Sequence, residues 1–325
     1  MHIKFHFKRW FCWVTSILAA IALFGALYQY SMTKIDESRY PPPGKCVIIE
    51  GVEMHYIYSG TRNGPTIILE AGLRGYSLDW KYVQSQIAQF APVFSYDRAG
   101  YGWSDESRQP RTCDEIVKEL HSLLQKANVP PPYILVGHSF GGAIIRQYAC
   151  HFPDEVVGLV LVDSVHELQA QKLPPPTLAC MKLPASLRLL QQYCGLNRLL
   201  RQLQYPSDAH SALVSTTKCY RTKAAELEFF PLSMQTLLES QKGYANKPLV
   251  VITAGIGIDA TAMGQTKEWG KKYDTVWSEL QADLVKQSTC GKQLIAEKSD
   301  HMIPNKQPEI IVQAVQDLNC SNQKK

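Results

Sequence analysis

The sequence predicts an α/β fold, a mostly parallel sheet with helices on both faces and a helical lid insertion. Three observations predict it. Short β-rich runs alternate with helical stretches from about residue 46 to 320. The later runs are continuously apolar, as expected of strands buried on both faces. The alternation breaks once, between His166 and Asn246, where the pattern is helical and no strand is evident.

The chain opens on a different kind of element. Lys4, Lys8 and Arg9 precede "WFCWVTSILAAIALFGALYQYSMT", which runs from Trp10 to Thr33 without a charge. About 20 apolar residues cross the hydrocarbon core of a bilayer. Basic residues ahead of the span keep the N-terminus in the cytoplasm, and Trp10, Trp13, Tyr28 and Tyr30 fall near the two interfaces. A cleaved signal peptide is the competing reading. Neither Phe24 with Ala26 nor Gln29 with Ser31 makes a good small-x-small cleavage site. The expectation is therefore a cytoplasmic tip and single-pass membrane anchor over 1–33, followed by an exported domain over 46–320. "KIDESRYPPPG" between them is a polar linker over 34–45, stiffened by its prolines.

Seven segments carry the strands: "CVIIEGVEMHYIYSG", "PTIILEAG", "APVFSYDRAG", "YILVGHS", "GLVLVDS", "PLVVITAG" and "KQLIAEKSDH". Between the third and fourth, "CDEIVKELHSLLQKANV" places apolar residues at 116, 117, 120, 123, 124 and 127, one face of a helix. A last helix is expected around Glu309 to Leu318. The insertion, about 166–246, reads as a lid over the strand ends. Its many leucines are assigned mainly to packing rather than to membrane contact.

Composition narrows the function classes. A hydrophobic content of 45% is ample for a core. The net charge is +5, but Lys4, Lys8 and Arg9 supply three of those charges, so the remainder is too weakly basic to argue for nucleic acid. Of nine cysteines, Cys12 lies in the apolar segment. The rest could form disulfides after export, with Cys180, Cys194 and Cys219 the best placed, or remain buried thiols. No pair has CxxC spacing, so no zinc site is expected, and no organic cofactor is implied.

The chemistry concentrates at Gly137-His138-Ser139-Phe140-Gly141. GxSxG alone is a weak signal, but here it joins the strand "YILVG" to the helical "AIIRQYACHF". A serine in that tight turn projects its hydroxyl at the C-terminal edge of the sheet, beside a helix N-terminus. The backbone N–H of Phe140 then points at a reacting carbonyl oxygen. A serine hydroxyl needs a base. Among nine histidines, His301 stands just past the last strand, in a loop before the final helix, and so at the same edge as Ser139. Two carboxylates could orient it. Asp163 ends "GLVLVD", one crossover from Ser139, and is preferred. Asp259 follows the next strand and is the alternative. A second oxyanion donor is expected from "LEAGLRG", at the N–H of Leu73, where flanking glycines permit close backbone approach.

Together "EAGLRGYSLDW", "SYDRAGYGWSD", "GHSFGG", "LVLVDS" and "VWSELQADL" followed by "SDHMIP" resemble the α/β-hydrolase fold superfamily, in its membrane-associated bacterial esterase and lipase-like branch. The resemblance implies an eight-stranded sheet, a cap after the sixth strand, and a triad of Ser139, His301 and an Asp. Family acids follow either the sixth or the seventh strand, which correspond to Asp163 and Asp259. The absence of the usual short Gly-x-x-Asp after "TAG" supports Asp163. Two positions depart from the pattern: Ala71-Gly72 replaces the common His-Gly, and Asp300 stands where glycine often precedes the histidine. "SYDRAGYGWSD" is expected to brace the site. Serine at the elbow argues against epoxide hydrolase or haloalkane dehalogenase chemistry.

The expected activity is hydrolysis of an ester or similar acyl group, on a small-molecule or lipid substrate, through an acyl-enzyme. Acyltransferase or peptidase chemistry on the same fold remains open. So do a non-catalytic ligand- or partner-binding role and a lipid-surface binder with incidental activity.

Overall fold

The computed structural model describes residues 2–61, 64–176, 185–205, 208–240, 244 and 246–323. In chain order the elements are α1 (His2–Arg39), β1 (Lys45–Ile49), β2 (Val52–Ser59), β3 (Thr66–Glu70), α2 (Lys81–Ile87) and β4 (Val93–Tyr96). Then come α3 (Cys113–Lys126), β5 (Tyr133–His138), α4 (Phe140–His151), β6 (Val156–Val162) and α5 (Gln169–Lys172). The insertion continues as α6 (Ala185–Tyr193), α7 (Leu196–Gln204), α8 (Ala209–Leu213), α9 (Thr217–Glu228) and α10 (Phe230–Ser240). The chain closes with β7 (Leu249–Ala254), α11 (Lys267–Val285), β8 (Gly291–Ala296), α12 (Ile303–Lys306) and α13 (Pro308–Gln323). Two compact units result, Met1–Pro41 with Lys182–Arg221, and Pro42–Met181 with Thr222–Lys325.

The larger unit is an eight-stranded sheet in the order β1-β2-β4-β3-β5-β6-β7-β8. Only β1–β2 and β2–β4 pair antiparallel; the other five pairings are parallel. Adjacent residues of one strand serve opposite faces. Leu135 packs with Ile116, Leu120, Ile144 and Tyr148 of α3 and α4. Its neighbours Ile134 and Val136 pack with Val83 and Ile87 of α2 and Ile311 and Val315 of α13. The continuous apolar runs are thus explained by helices on both sides. Helix α3 starts where Thr112 accepts a hydrogen bond from the Glu115 N–H at 3.3 Å, a serine/threonine cap of the usual kind. Its apolar positions 116, 117, 120, 123 and 124 are all buried, and Ala127 is the C-cap.

In the smaller unit, α1 runs on through Arg39 rather than ending at Thr33, so the first half of the expected linker is helical. From Trp10 onward α1 is long and apolar enough to cross a membrane, and its apolar window has no buried residue. Its C-terminal half is held by Arg198 of α7. That guanidinium is buried and donates to Gln29 Oε1 at 3.1 Å, Thr33 Oγ1 at 3.2 Å and the Asp36 carboxylate. Gln29 and Gln192 both donate to the Ser215 carbonyl, at 2.9 and 2.6 Å.

The insertion is helical, as expected, but narrower as a separate body. Residues from Thr222 onward belong with the sheet, where Met234 and Leu237 of α10 enter the core. The packing role expected of its leucines is corrected in α6 and α7. Leu187, Leu190, Leu196, Leu199, Leu200 and Leu203 are exposed, because Gln192 and Arg198 occupy the inward positions. Cys194 is a free thiol, Cys219 is buried, and Cys180 lies outside the described residues.

Candidate active site

Ser139 sits between β5 and α4 with φ 53° and ψ −119°. A non-glycine residue at positive φ is strained, and it persists only where its surroundings determine it. Here the Ser139 N–H donates to the Val162 carbonyl at 3.0 Å, and its own carbonyl accepts from Gly142 at 3.0 Å and Val165 at 3.1 Å. The flanking glycines are required by close approach. A Cβ on Gly137 would fall 2.5 Å from the Gly141 carbonyl oxygen, and one on Gly141 would fall 2.4 Å from that of Glu70. The serine itself stays partly exposed.

Asp163 follows β6, and its N–H donates to the Ile252 carbonyl at 2.7 Å. Its side chain is 2% exposed, and Oδ2 lies 2.6 Å from Nδ1 of His301, which is 41% exposed. The other oxygen, Oδ1, accepts from Trp277 Nε1 at 3.0 Å and from the Ala254 N–H at 3.1 Å. Burial pushes this carboxyl upward, but the hydrogen bond and charge of His301, with Trp277 and Ala254, outweigh it and hold the group below the usual carboxylate range. A carboxylate fixed in this way accepts from Nδ1–H and leaves Nε2 as the ring's basic nitrogen.

The structure does not bring Asp259 to this histidine. Its exposed carboxylate binds its own turn, accepting from Thr261 Oγ1 at 2.7 Å and the Ala262 N–H at 3.0 Å. Asp300 turns away as well, toward Lys306 Nζ at 2.6 Å and the Met302 N–H at 3.1 Å.

The loop after β3 runs against the serine. Glu70 is in register with Gly137, and a Cβ on Gly72 would lie 3.2 Å from the Ser139 Cβ. Leu73 comes next on this loop, and Phe140 is the first residue of α4. Arg98, from "SYDRAGYG", fixes the loop from behind. Its guanidinium donates to the Ala71 and Gly72 carbonyls, each at 2.7 Å, and to Glu70 Oε1 at 2.6 Å. Arg98 Nε also donates to Glu226 Oε1 of α9 at 2.9 Å, and Tyr101 donates to Glu226 Oε2 at 2.7 Å. Asp97 of the same motif accepts from the Ser77 and Trp103 N–H groups at 2.8 and 2.9 Å. This motif braces a turn and a loop.

Two contributors were missed by sequence reasoning. Trp277 lies on α11, within the segment "VWSELQADL". His138, which the sequence places simply in the turn, is the other. Its ring is buried, Nε2–H donates to the His301 carbonyl at 2.8 Å, and the two rings lie 4.8 Å apart. Burial, then the neighbouring His301, push His138 down to about 3, against the pull of that hydrogen bond. It is therefore neutral at ordinary pH. Among the described residues no cluster of three or more His, Cys, Asp and Glu could hold a metal ion.

A family model for the alpha/beta hydrolase fold matches residues 65–324. The "uncharacterized protein YqjL" of Bacillus subtilis (strain 168) is 30% identical over 277 residues, 85% of this chain and 92% of that protein. Among solved structures, a membrane phospholipase A described as a bacterial virulence factor superposes with a TM-score of 0.60 at 17% identity, covering 98% of this chain and 100% of the other. A thermophilic esterase from Thermogutta terrifontis gives 0.61 at 17%, covering 84% and 97%. At these identities the structural likeness is one of fold.

Proposed function

Because the chain belongs to the alpha/beta hydrolase fold family, we propose that it is a membrane-anchored serine hydrolase acting on an ester or similar acyl substrate. Ser139 Oγ attacks the acyl carbon, and His301 Nε2 takes its proton and returns it to the leaving group. Asp163 keeps the imidazole oriented and stabilises the imidazolium. The N–H groups of Leu73 and Phe140 receive the oxyanion. Water, activated by the same histidine, then releases the acyl group. The carrying observation is the 2.6 Å bond between His301 and a buried Asp163, together with a strained and partly exposed Ser139 between β5 and α4.

On this reading α1 is an uncleaved anchor with its N-terminus in the cytoplasm, and the hydrolase domain lies across the membrane. The phospholipase neighbour and the apolar helix favour a lipid acyl substrate over a freely soluble one. The test is labelling of the full-length protein in detergent with a fluorophosphonate, beside Ser139→Ala and His301→Ala. Labelling of the wild type that vanishes in the first variant and drops sharply in the second is the expected result. A folded wild-type protein that takes no label would move a non-catalytic binding role to the front.

A further inference from the structure

Helices α6 and α7 are amphipathic in the inverted sense. On α7, Leu196, Leu199, Leu200 and Leu203 recur at the i, i+3, i+4, i+7 spacing that ordinarily faces a core. Here they are 41, 48, 48 and 78% exposed, while Arg198 between them is 1% exposed. On α6, Leu187, Leu190 and Tyr193 extend the exposed face and Gln192 is fully buried. Arg201 stacks over the Tyr205 ring at 4.9 Å, at the end of the stripe. A contiguous apolar face of this kind marks an interaction surface.

Its attachment to α1 says what covers it. A Cβ on Gly25 would fall 2.3 Å from the Cys194 carbonyl oxygen, so α1 and the α6–α7 junction touch backbone to backbone. Gly195 abuts the Tyr28 ring, and the Tyr28 hydroxyl donates to Gln202 Oε1 at 2.7 Å. The junction is thus beside Gly25–Gln29 of α1. From Trp10 to Tyr30 the helix rises about 30 Å, the thickness of a bilayer's hydrocarbon core. With Trp10 at one interface, Gly25–Tyr30 lies at the other, and the leucine face lies there with it. Over the same stretch α1 itself exposes Ile21, Leu23, Phe24 and Leu27. Beside Tyr30 the surface turns cationic. Lys218 and Arg221 line a cleft of about 400 Å³ with Lys34, whose ammonium is paired with Glu37 at 2.6 Å. Basic groups at that level complement lipid phosphates.

We infer that the leucine face of α6 and α7 is a bilayer-docking surface, seated in the boundary between headgroups and acyl chains of the membrane that α1 enters. The inference rests on the reading of α1 as an anchor. Its partner is lipid, because the apolar face adjoins the spanning helix at interfacial depth and is rimmed by cations.

The experiment uses the full-length chain in vesicles of phosphatidylcholine with phosphatidylglycerol. An environment-sensitive fluorescent residue is placed at position 199 or 203, and at the exposed position 313 of α13 as reference. The expected result is blue-shifted emission at 199 and 203, quenched several-fold more by bromine on the lipid acyl chains than by aqueous iodide, with the reverse at 313. Iodide quenching at 203 equal to that at 313, in a chain that resists carbonate extraction, overturns docking and leaves the anchor standing. A chain released by carbonate overturns both. A reporter reached by neither quencher, whose emission follows the protein-to-lipid ratio, means that a second copy covers the face and also overturns the inference. None of these readouts uses turnover, so they stand apart from the role of Ser139.

Discussion

His301 Nδ1 and Asp163 Oδ2 lie 2.6 Å apart, although 138 residues separate them in the chain. Strand β6 and the loop after β8 end at the same edge of the sheet, with β7 between them. The alternative carboxylate, Asp259, spends its oxygens on Thr261 and Ala262. Asp163→Asn is therefore expected to lower kcat by up to about 10⁴, since an amide presents the wrong partner to Nδ1. Asp259→Asn should leave kcat within about twofold, as for a surface group with only local bonds. Steady-state kinetics on a short-chain p-nitrophenyl ester separates them, and the opposite ranking would sink the assignment.

Trp277 supplies the second test of the same carboxylate. Its indole N–H at 3.0 Å and the Ala254 N–H share Oδ1, so Oδ2 is turned toward the histidine. Trp277→Phe keeps most of the ring and removes that donor. A bond to an ionised acceptor contributes about 1.5–3 kcal/mol, so a fall in kcat of roughly tenfold or more is expected. KM should move little, because the indole orients the acid rather than the substrate. An unchanged kcat would mean that Ala254 alone holds Asp163.

What was legible in the sequence follows from how local each signal is. The strand–turn–helix around Ser139 was readable because the turn, its glycines and its flanks are contiguous. The parallel sheet was readable because strands buried on both faces write unbroken apolar runs. His301 was readable from its place after the last strand. The grip on Asp163 was not, since Trp277 arrives from a separate helix 114 residues away and nothing near Asp163 announces it. The exposure of the α7 leucines is not legible for a related reason. Periodicity reveals that a helix has two faces, but not which face turns inward. Here Gln29, Thr33 and Asp36, far upstream on α1, draw Arg198 in and leave the leucines outside.

Arg98 ties the loop after β3 to α9, and its removal should cost stability before anything else. Glu70 and Glu226 are both fully buried and both face its guanidinium. Arg98→Met removes the counter-charge of two buried carboxylates and the donors to two loop carbonyls, which is expected to destabilise by about 3–5 kcal/mol. Arg98→Lys should recover little of that, since one ammonium cannot serve acceptors spread along a planar fork. Thermal unfolding of the three proteins at constant pH checks this. Melting of Arg98→Lys within a degree or two of wild type would mean that charge alone, not the fork, carries the brace.

His138 makes the protein sensitive to acid in a defined window. In the folded chain its ring is held down to about 3, whereas in the unfolded chain it titrates near the ordinary 6.5. Below about pH 6.5 the unfolded state takes up a proton that the folded state refuses, so this residue removes stability as pH falls toward 3. His138→Gln keeps an amide donor for the His301 carbonyl and does not titrate. Between pH 6 and 4 the wild type should therefore lose roughly 2–3 kcal/mol more than the variant. Urea unfolding of both in the same detergent at pH 6, 5 and 4 measures the difference, with the other acid-sensitive groups common to both chains. Parallel losses would show that His138 accepts its proton in the folded state. The hydrogen bond to the His301 carbonyl would then have to survive, or even strengthen, with a cation in the ring, and burial would not be what keeps this histidine neutral.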